Sequence, residues 1–487
     1  MRRYIAISLL LSVFPAIHAQ NGSFREQFER FQREAATTYS DFRRECNKRY
    51  ADFLLKAWEW FDSNPEISKP VEQEIPPVIY DEEPTVPVID NKVIHEEVIL
   101  QPVIDEPQPV PVEPIRETPV VLPVYFAFTF YNTPLKVRAE DKHRFILKTV
   151  RERDLSRAWE QLSSSEYDNL VVDCLRIREE YRLCDWAYLS MIKTFSNSFL
   201  GAGNESTLLT AYIYSQSGYR MRLGVSNDCL YMLYGSKYEI YNTSYYTIDG
   251  SFFYPLDSEP QGGLRIANFS FPEEKDMVLS ITELPKLSVS TTDYRTLSAR
   301  DYPISVKTSV NKNLLDFYSG YPSSQLNGNP MTRWSMYAET PVEDHTADGL
   351  FSALRDSIQG KSRTEAAGML LNFVQTAFVY EYDDKVWGAD RAFFAEETLY
   401  YPYCDCEDRS ILYSHLVREL TGLDVMLVYY PGHLCTAVRF TEPVSGDYIV
   451  SDGSRYYICD PTYIGAPVGL GMPQTRNQKP TVILLEK

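Results

Sequence analysis

The chain has 487 residues, which is too long for one ordinary domain and suggests about two to four folded units. Its formal net charge is −19, from 48 Lys+Arg against 67 Asp+Glu. A chain this acidic is poorly suited to the phosphates of nucleic acid, so we expect no nucleic-acid partner. Hydrophobic residues make up 44% of the chain, which is enough for sizeable cores.

Residues 1–19 are typical of a cleaved secretory signal peptide. Arg2 and Arg3 form a basic start, an apolar run follows to Phe14, and Ala19 is the small residue at the cleavage site. The run is shorter than the roughly 18 apolar residues that a membrane-spanning helix needs. We therefore expect an exported protein of bacterial type, periplasmic or extracellular, with no transmembrane segment after signal cleavage.

The cysteine count agrees with export but does not define a scaffold. Eight cysteines are an even number, and an oxidising compartment permits them to pair. Eight in 487 residues are too sparse for a fold built on disulfide bonds. Cys174 and Cys184 are a candidate pair, and the sequence leaves the connectivity open.

An amphipathic helix is predicted over residues 20–63, with its apolar stripe over 22–62. Part of the stripe has an 11-residue period, or 3.67 residues per turn, which favours a straight helix or a slightly right-handed coiled coil. Such a stripe is buried either on the protein's own body or against a partner or second copy, and both alternatives stay open. The stripe consists of Phe24, Phe28, Phe31, Ala35, Tyr39, Phe42, Cys46, Tyr50, Phe53, Ala57 and Trp60.

Residues 64–123 are predicted to be an acidic, proline-rich linker. They hold 13 of the 30 prolines, and 13 Asp+Glu against 3 Lys+Arg. This composition favours an extended, self-repelling chain without a core of its own. The linker is long enough to hold the N-terminal helix tens of ångströms from the rest, at roughly 3 Å per residue.

The remaining residues are predicted to be a globular α+β region. Residues 124–260 begin with a strand-like run over 124–131 and continue with helices over 143–200. From about 208 to 320 the pattern changes to short strands, so 261–345 is expected to be β-rich. Helical periodicity returns over 346–380, and a helix from about 406 is followed by strands to the C-terminus.

The residues that point to chemistry are Cys406, His433 and Asp460, which are separated by 27 and 27 positions. Asp405 is suited to cap a helix that ends at Gly422, so Cys406 lies in its first turn, where the helix dipole favours a thiolate. His433 opens a strand and Asp460 ends one. A thiol, an imidazole and a carboxylate in this arrangement can form an acyl-enzyme: the imidazole takes the thiol proton and the carboxylate holds the imidazole tautomer.

This stretch resembles the transglutaminase-like superfamily, which has a papain-like fold. The resemblance covers about residues 346–470 and lies in Cys-x-Asp at Cys406, Gly-His at His433 and Asp-Pro-Thr at Asp460. It implies a transglutaminase-like domain over 346–487, with Cys406 as nucleophile, His433 as general base and acid, and Asp460 as the orienting carboxylate. It implies a peptide or protein substrate and no cofactor. Many relatives have Gly where this chain has Cys404.

The donor to the oxyanion is not fixed by these motifs. The backbone N–H of Cys406 is the expected donor, and Tyr400 and Trp387 are side-chain candidates. Water or an amine could resolve the acyl-enzyme, and we favour water because hydrolysis needs no second substrate site. The expected activity is therefore that of a cysteine peptidase or amidase.

Three other interpretations stay open. Cys406 could be a buried structural thiol, or a zinc ion could bind among Cys404, Cys406, His433, Cys435 and Cys459. Because Cys459 and Asp460 are adjacent on one strand, they point to opposite faces, which weakens the zinc interpretation. The third alternative is a non-catalytic binding or scaffold protein that retains the fold.

A degenerate second copy of the domain is a further hypothesis for residues 150–260. The segment Ile248-Asp-Gly-Ser echoes Ser451-Asp-Gly-Ser, and Gly218 matches Gly422 as the end of an element. Eleven residues beyond each glycine lie Cys229 and His433. The position that matches Cys406, 16 residues before the glycine, is Ala202. The first copy would then lack both nucleophile and base.

Overall fold

The computed structural model describes residues 42–70, 74–80, 93–94, 98–100, 115, 117–120, 122–257, 260 and 262–485. The predicted signal peptide and the part of the helical stripe up to residue 41 lie outside the described residues. Within the described residues the protein is a mixed α+β structure, as predicted, with two large sheets. No helix in this part of the chain is both long and apolar enough to cross a bilayer.

The described α-helices and strands are as follows. The helices are α1 (residues 42–54), α2 (Glu152–Leu162), α3 (Asp168–Glu180), α4 (Asp185–Leu200), α5 (Asn204–Gln216), α6 (Lys312–Ser319), α7 (Thr332–Glu339), α8 (Asp344–Ile358), α9 (Arg363–Ala377), α10 (Asp383–Val386), α11 (Ala395–Tyr400) and α12 (Cys406–Thr421). The strands are β1 (Glu59–Phe61), β2 (Val78–Ile79), β3 (Val93–Ile94), β4 (Val98–Leu100), β5 (Phe126–Phe130), β6 (Thr133–Val137), β7 (Met221–Ser226), β8 (Cys229–Ser236), β9 (Tyr238–Ile240), β10 (Tyr246–Ile248), β11 (Ser251–Pro255), β12 (Leu264–Ala267), β13 (Arg295–Ser298), β14 (Ser305–Thr308), β15 (Ser324–Leu326), β16 (Val379–Tyr380), β17 (Tyr403–Cys404), β18 (Asp424–Tyr430), β19 (His433–Arg439), β20 (Tyr448–Ser451), β21 (Ser454–Cys459), β22 (Tyr463–Ile464) and β23 (Thr481–Leu484).

Each large sheet is covered by the helix that precedes its first long strand. The first sheet has the order β1-β12-β7-β8-β11-β10, and α5 packs on β7 and β8. The second has the order β3-β20-β21-β19-β18-β23-β4, and α12 packs on β18 and β19. We call these the first and second units. The second places Cys406 at the start of its helix and His433 at the start of its second long strand.

The two units share their strand order and their turns. In both units a helix is followed along the chain by a hairpin, a second hairpin and a last strand. The equivalent strands of the first and second sheets, in spatial order, are β12 and β23, β7 and β18, β8 and β19, β11 and β21, and β10 and β20. Both second hairpins turn through Asp-Gly, between Ile248 and Ser251 and between Ser451 and Ser454. Gly218 (φ 92°) and Gly422 (φ 66°) follow the two helices in a conformation that favours glycine.

The described part of the N-terminal helix packs on the protein's own body, and the helix ends earlier than predicted. Tyr50 and Leu54 lie in the main core, where the Tyr50 ring is 4.5 Å from that of Trp159. The helix ends at residue 54, and the indole N–H of Trp58 donates to the Leu54 carbonyl at 2.7 Å. The prediction that it continues to 62 is wrong, because β1 pairs with β12 as an edge strand and leaves Trp60 62% exposed.

The described parts of residues 64–123 have extended backbone, as expected for the linker, but they are paired with other strands and do not form a free tether. Within residues 64–123, β2 pairs with β22, β3 with β20 and β4 with β23, so the segment adds short strands to the second unit. Its composition excludes a core of its own but leaves its backbone groups free to complete the edges of another sheet. The segment therefore joins the two units instead of holding the N-terminal helix away.

The region expected to consist of strands from about 208 begins with a helix. Every residue of α5 from Leu208 to Gln216 is buried. A helix that is apolar on all sides lacks the amphipathic period by which sequence patterns identify helices. The helices expected over 143–200 and 346–380 are present as α2, α3 and α4 and as α8 and α9.

Candidate functional site

Cys406 is the first residue of α12 and is 3% exposed. The helix start is held by Asp408, whose carboxylate accepts from the backbone N–H of Asp405 at 3.2 Å and of Phe393 at 2.8 Å. The predicted cap, Asp405, makes no such bond: both of its carboxylate oxygens are buried without a hydrogen-bond partner among the described residues. Asp408 thus fixes the turn that presents Cys406.

His433 and Asp460 come together as predicted. His433 Nε2 and Asp460 Oδ2 are 2.9 Å apart, and both side chains are buried. The other carboxylate oxygen of Asp460 accepts from the backbone N–H groups of Thr462 at 2.9 Å and Tyr463 at 3.2 Å. His433 Nδ1 has no hydrogen-bond partner in the described part of the chain. An ionised Asp460 therefore holds the proton on Nε2 and leaves Nδ1 able to accept one.

The loop that carries Asp460 is fixed from α9 by Gln375. The Gln375 side-chain amide donates to the carbonyls of Asp460 at 3.0 Å, Tyr463 at 2.8 Å and Ala466 at 3.1 Å. Its carbonyl oxygen accepts from the Gly465 N–H at 3.1 Å. One buried side chain thus holds the backbone of the loop that carries the Asp460 carboxylate.

Replacing Gln375 by leucine is expected to lower the free energy of unfolding by about 3 kcal/mol, because buried carbonyls and an N–H group lose their partner. Urea denaturation measures the change. Gln359→Leu is the matched control, since Gln359 is exposed and its replacement should change stability by less than about 0.5 kcal/mol. Equal effects of the two substitutions would contradict the role given to Gln375.

A cleft of about 690 Å³ opens beside Cys406 and His433. Its walls come from the α10 region, from α7, from the strand β18 and from the N-terminal segment that the composition marked as a linker. The cleft is lined by Ser68, Lys69, Pro70, Glu74, Asn242, Arg333, Trp334, Tyr382, Asp383, Asp384, Lys385, Gly388, Ala389, Asp390, Cys406, Glu407, Tyr429, Gly432, His433 and Leu434. The candidate nucleophile and base therefore share one concave site, as ligand-binding clefts require.

The thiol of Cys406 is hydrogen-bonded to Glu407 and not to His433. Its Sγ lies 3.3 Å from Glu407 Oε2, and no hydrogen bond joins it to His433 within the described residues. Burial and the nearby carboxyl groups of Glu407, Asp405 and Glu74 raise the pKa of Cys406 well above its usual value. The predicted effect of the helix dipole is outweighed, so the structure holds a protonated thiol.

The carboxyl groups around the thiol form a part of the cleft that could hold a cation. Oxygens of Asp383, Asp405 and Asp408 lie within 4.8 Å of one another, as do those of Asp383, Asp390 and Glu407. Burial raises the pKa of Asp405, Asp408 and Glu407 well above the usual carboxyl range, and mutual repulsion adds to the effect. Carboxylate oxygens in this number are ligands that suit a hard divalent cation.

Stability should depend on pH through Asp383. Burial raises its pKa to about 7, although the backbone N–H of Arg391 donates to it. A carboxyl group with a raised pKa in the folded state stabilises the fold below its unfolded pKa, and this contribution is lost between about pH 4 and pH 7. We expect the free energy of unfolding of the wild type to fall on the order of 3 kcal/mol over that interval, and we expect this fall to be absent in Asp383→Asn.

Urea denaturation at pH 5 and pH 8 measures this loss in the wild type and in the variant. The exposed neighbour Asp384 provides the control, because Asp384→Asn should leave the difference between the two pH values unchanged. A variant at Asp383 with the same pH dependence as the wild type would contradict the assignment.

The five residues considered for zinc do not form one group. His433 and Cys435 approach each other together with Asp460, with ligand atoms within 4.8 Å. Cys404 and Cys459 lie in a separate hydrophobic cluster with α9 and α12. All eight cysteines are free thiols in the structure, so the candidate pair Cys174–Cys184 is not bonded. Seven are buried, and only Cys229 is exposed.

Other residues of the site were either misplaced or missed by the sequence pattern. Trp387 and Tyr400, the proposed oxyanion side chains, are not among the described residues that line the cleft. Glu74 was missed because nothing in a proline-rich segment distinguishes one acidic residue from another. Its carboxylate accepts from the Tyr380 hydroxyl at 2.9 Å. In the sequence, the position of Glu407 next to Cys406 indicated that the surroundings of the thiol are acidic. It did not indicate the hydrogen bond between the two side chains.

Comparison with known proteins does not add a relative. No family model, curated protein or solved structure matches this chain. The class of protein therefore has to be argued from the site itself.

Proposed function

We propose that the protein is an exported thiol-dependent acyl-transfer enzyme with a transglutaminase-like, papain-like second unit. It would attack amide bonds of peptides or proteins through Cys406, His433 and Asp460, and water would resolve the acyl-enzyme. The observation that carries this proposal is the bond between His433 Nε2 and Asp460. Because His433 Nδ1 has no hydrogen-bond partner among the described residues, and His433 lines the same cleft as Cys406, this nitrogen is available to the thiol.

The reaction would run in two steps. His433 Nδ1 takes the proton of the Cys406 thiol, the sulfur attacks the amide carbon, and the amine leaves with the proton returned from His433. Water, deprotonated by the same nitrogen, then cleaves the thioester to a carboxylate and the free thiol. The backbone N–H at the start of α12 is the donor proposed for the oxyanion. Before the first step the thiol has to turn from Glu407 to His433.

The proposal is tested by labelling with a peptide acyloxymethyl ketone, which alkylates an activated thiol. The wild type and Cys404→Ala should be labelled, and Cys406→Ala should not. The masses of the peptide products formed with and without added amine separate hydrolysis, which gives a carboxylate, from transamidation, which gives a new amide. Labelling that persists in Cys406→Ala would exclude Cys406 as the nucleophile.

A non-catalytic scaffold is the second candidate, and the protonated thiol bonded to Glu407 is the observation that favours it. Under this alternative, neither the wild type nor Cys404→Ala is labelled at any pH at which the protein stays folded. Labelling of Cys406 at any of these pH values favours the enzyme.

We also infer that the two units arose by internal duplication and that the first has no active site. The shared strand order supports this. Cys229 opens β8 opposite Ser226, as His433 opens β19 opposite Tyr430. In the first unit the Asn204 side chain joins the helix start to this strand, donating to the Asp228 carbonyl at 3.1 Å and accepting from the Leu230 N–H at 2.8 Å.

The corresponding junction in the second unit is the one between Cys406 and His433, so the shared topology also supports their proximity. The peptide acyloxymethyl ketone should label Cys229 no faster than an ordinary exposed cysteine. Activated labelling of Cys229 would contradict an inactive first unit.

A further inference from the structure

Residues 64–70 and 74–80, which we call the strap, run from the first unit to the second across the cleft. At one end, the Asn64 N–H donates to the Tyr245 carbonyl at 2.7 Å. At the other, the Ile75 N–H donates to the Gly432 carbonyl at 2.8 Å, directly beside His433, and β2 pairs with β22. The strap is therefore bound to backbone on both sides of the candidate active site.

The strap places a lysine among the acidic residues of the cleft. Lys69 Nζ donates to the backbone carbonyl of Asp390 at 2.5 Å and lies 3.4 Å from the Asp390 carboxylate. Its side chain is only 14% exposed. Oxygens of Asp383, Asp390 and Glu407 lie within 4.8 Å of one another, and we call these three residues the acidic recess. An ammonium group from the strap thus occupies the edge of the recess.

The recess holds more carboxyl groups than Lys69 pairs with, since its contact is with Asp390. The carboxylate of Asp405 is fully buried without a hydrogen-bond partner among the described residues, and it lies within 4.8 Å of both Cys406 Sγ and Glu407. A buried carboxyl group without a partner favours its neutral form, and a cation close to it is what stabilises the charged form. The electrostatics of this part of the cleft therefore favour a cationic ligand next to the thiol.

We propose that the acidic recess is a subsite for the basic side chain of a peptide substrate, and that Lys69 fills it in the resting protein. This inference rests on the proposed function, since it names the substrate class of the same site. A lysine or arginine side chain that displaces Lys69 would reach Glu407, the residue that holds the Cys406 thiol. Its positive charge would offset the charge of Glu407, so that Glu407 would raise the pKa of the Cys406 thiol less.

The test compares cationic and neutral thiol reagents, so that it does not depend on turnover. Cys406 is modified with 2-aminoethyl methanethiosulfonate or with neutral methyl methanethiosulfonate, in a Cys229→Ser background that removes the exposed thiol. We expect Lys69→Met to raise the rate with the cationic reagent about ten-fold relative to the neutral one. Adding Asp390→Asn should abolish this preference.

The control is Lys385→Met, which removes a lysine from the same cleft that is paired with Glu381 instead of the recess. This control should leave the ratio of the two rates unchanged. Equal acceleration of both reagents by Lys69→Met would overturn the proposal, because the strap would then be a steric cover alone. Protection of Cys406 by calcium chloride but not by n-butylamine would also overturn it, in favour of a metal site.

Peptide hydrolysis separates this proposal from the proposed function. Peptides that differ only in lysine or norleucine are compared for kcat/KM, and we expect the lysine peptide to be preferred about ten-fold or more. If neither peptide is hydrolysed while the cationic reagent keeps its preference, the proposed function fails and the recess stands. If both are hydrolysed equally and the reagents show no preference, the recess fails and the function stands.

Discussion

Replacing Asp460 by asparagine is expected to lower amide turnover by about 10³- to 10⁴-fold without unfolding the protein. The carbonyl oxygen of asparagine can keep the bonds from the Thr462 and Tyr463 N–H groups. Its NH₂ group then faces His433 Nε2, which has to become the acceptor. The imidazole proton moves to Nδ1, so His433 can no longer take the proton of Cys406.

The measurement is kcat/KM for a peptide amide, together with the urea midpoint. Asp447→Asn is the matched control, because Asp447 also accepts a backbone N–H, from Gly471 at 3.3 Å, but does not contact His433. Turnover of the control should match the wild type. A loss below about ten-fold in Asp460→Asn, with the fold intact, would show that His433 does not depend on this carboxylate.

The pairing of His433 with Asp460 could be predicted because each residue lies at the end of a strand and the residue types define the chemistry. The hydrogen bond from Cys406 to Glu407 could not be predicted from the sequence. Adjacent residues at a helix start do not usually face each other, and whether a carboxylate reaches the thiol depends on burial by α7 and the strap. Sequence therefore identified the candidate reacting groups but not the hydrogen bond that the fold gives to the thiol.

The strap shows a similar limit at the level of the fold. Proline and acidic residues over 64–123 indicated an extended chain without its own core, and the described parts of this segment are extended. Whether such a chain is free or bound depends on unpaired sheet edges elsewhere, and β22, β20 and β23 supply these from residues 355 to 385 positions away. The early end of α1 has the same cause, since β1 completes the edge of the first sheet beside β12.

Replacing Glu407 by glutamine is expected to raise the alkylation rate of Cys406 by about 10- to 100-fold between pH 7 and pH 9. Burial raises the pKa of the thiol most, and Glu407 is the next cause, ahead of Asp405 and Glu74. Burial and the carboxyl groups of Asp390 and Asp383 raise the pKa of Glu407 well above its usual value, and Arg333 opposes this effect only in part. Wherever Glu407 is ionised in this pH interval, glutamine removes its negative charge, which lowers the pKa of Cys406 and increases the thiolate fraction.

Alkylation by iodoacetamide, followed by mass spectrometry across this pH interval, measures the change. Glu396→Gln is the matched control, because Glu396 is fully buried with its pKa raised to about 7 but does not line the cleft. The control should alkylate Cys406 at the wild-type rate. At pH values well above the thiol pKa the rates of wild type and Glu407→Gln should converge, since both thiols are then ionised. Identical pH profiles in the wild type and Glu407→Gln would mean that Glu407 does not hold the resting thiol protonated, and the scaffold alternative would lose the observation that favours it.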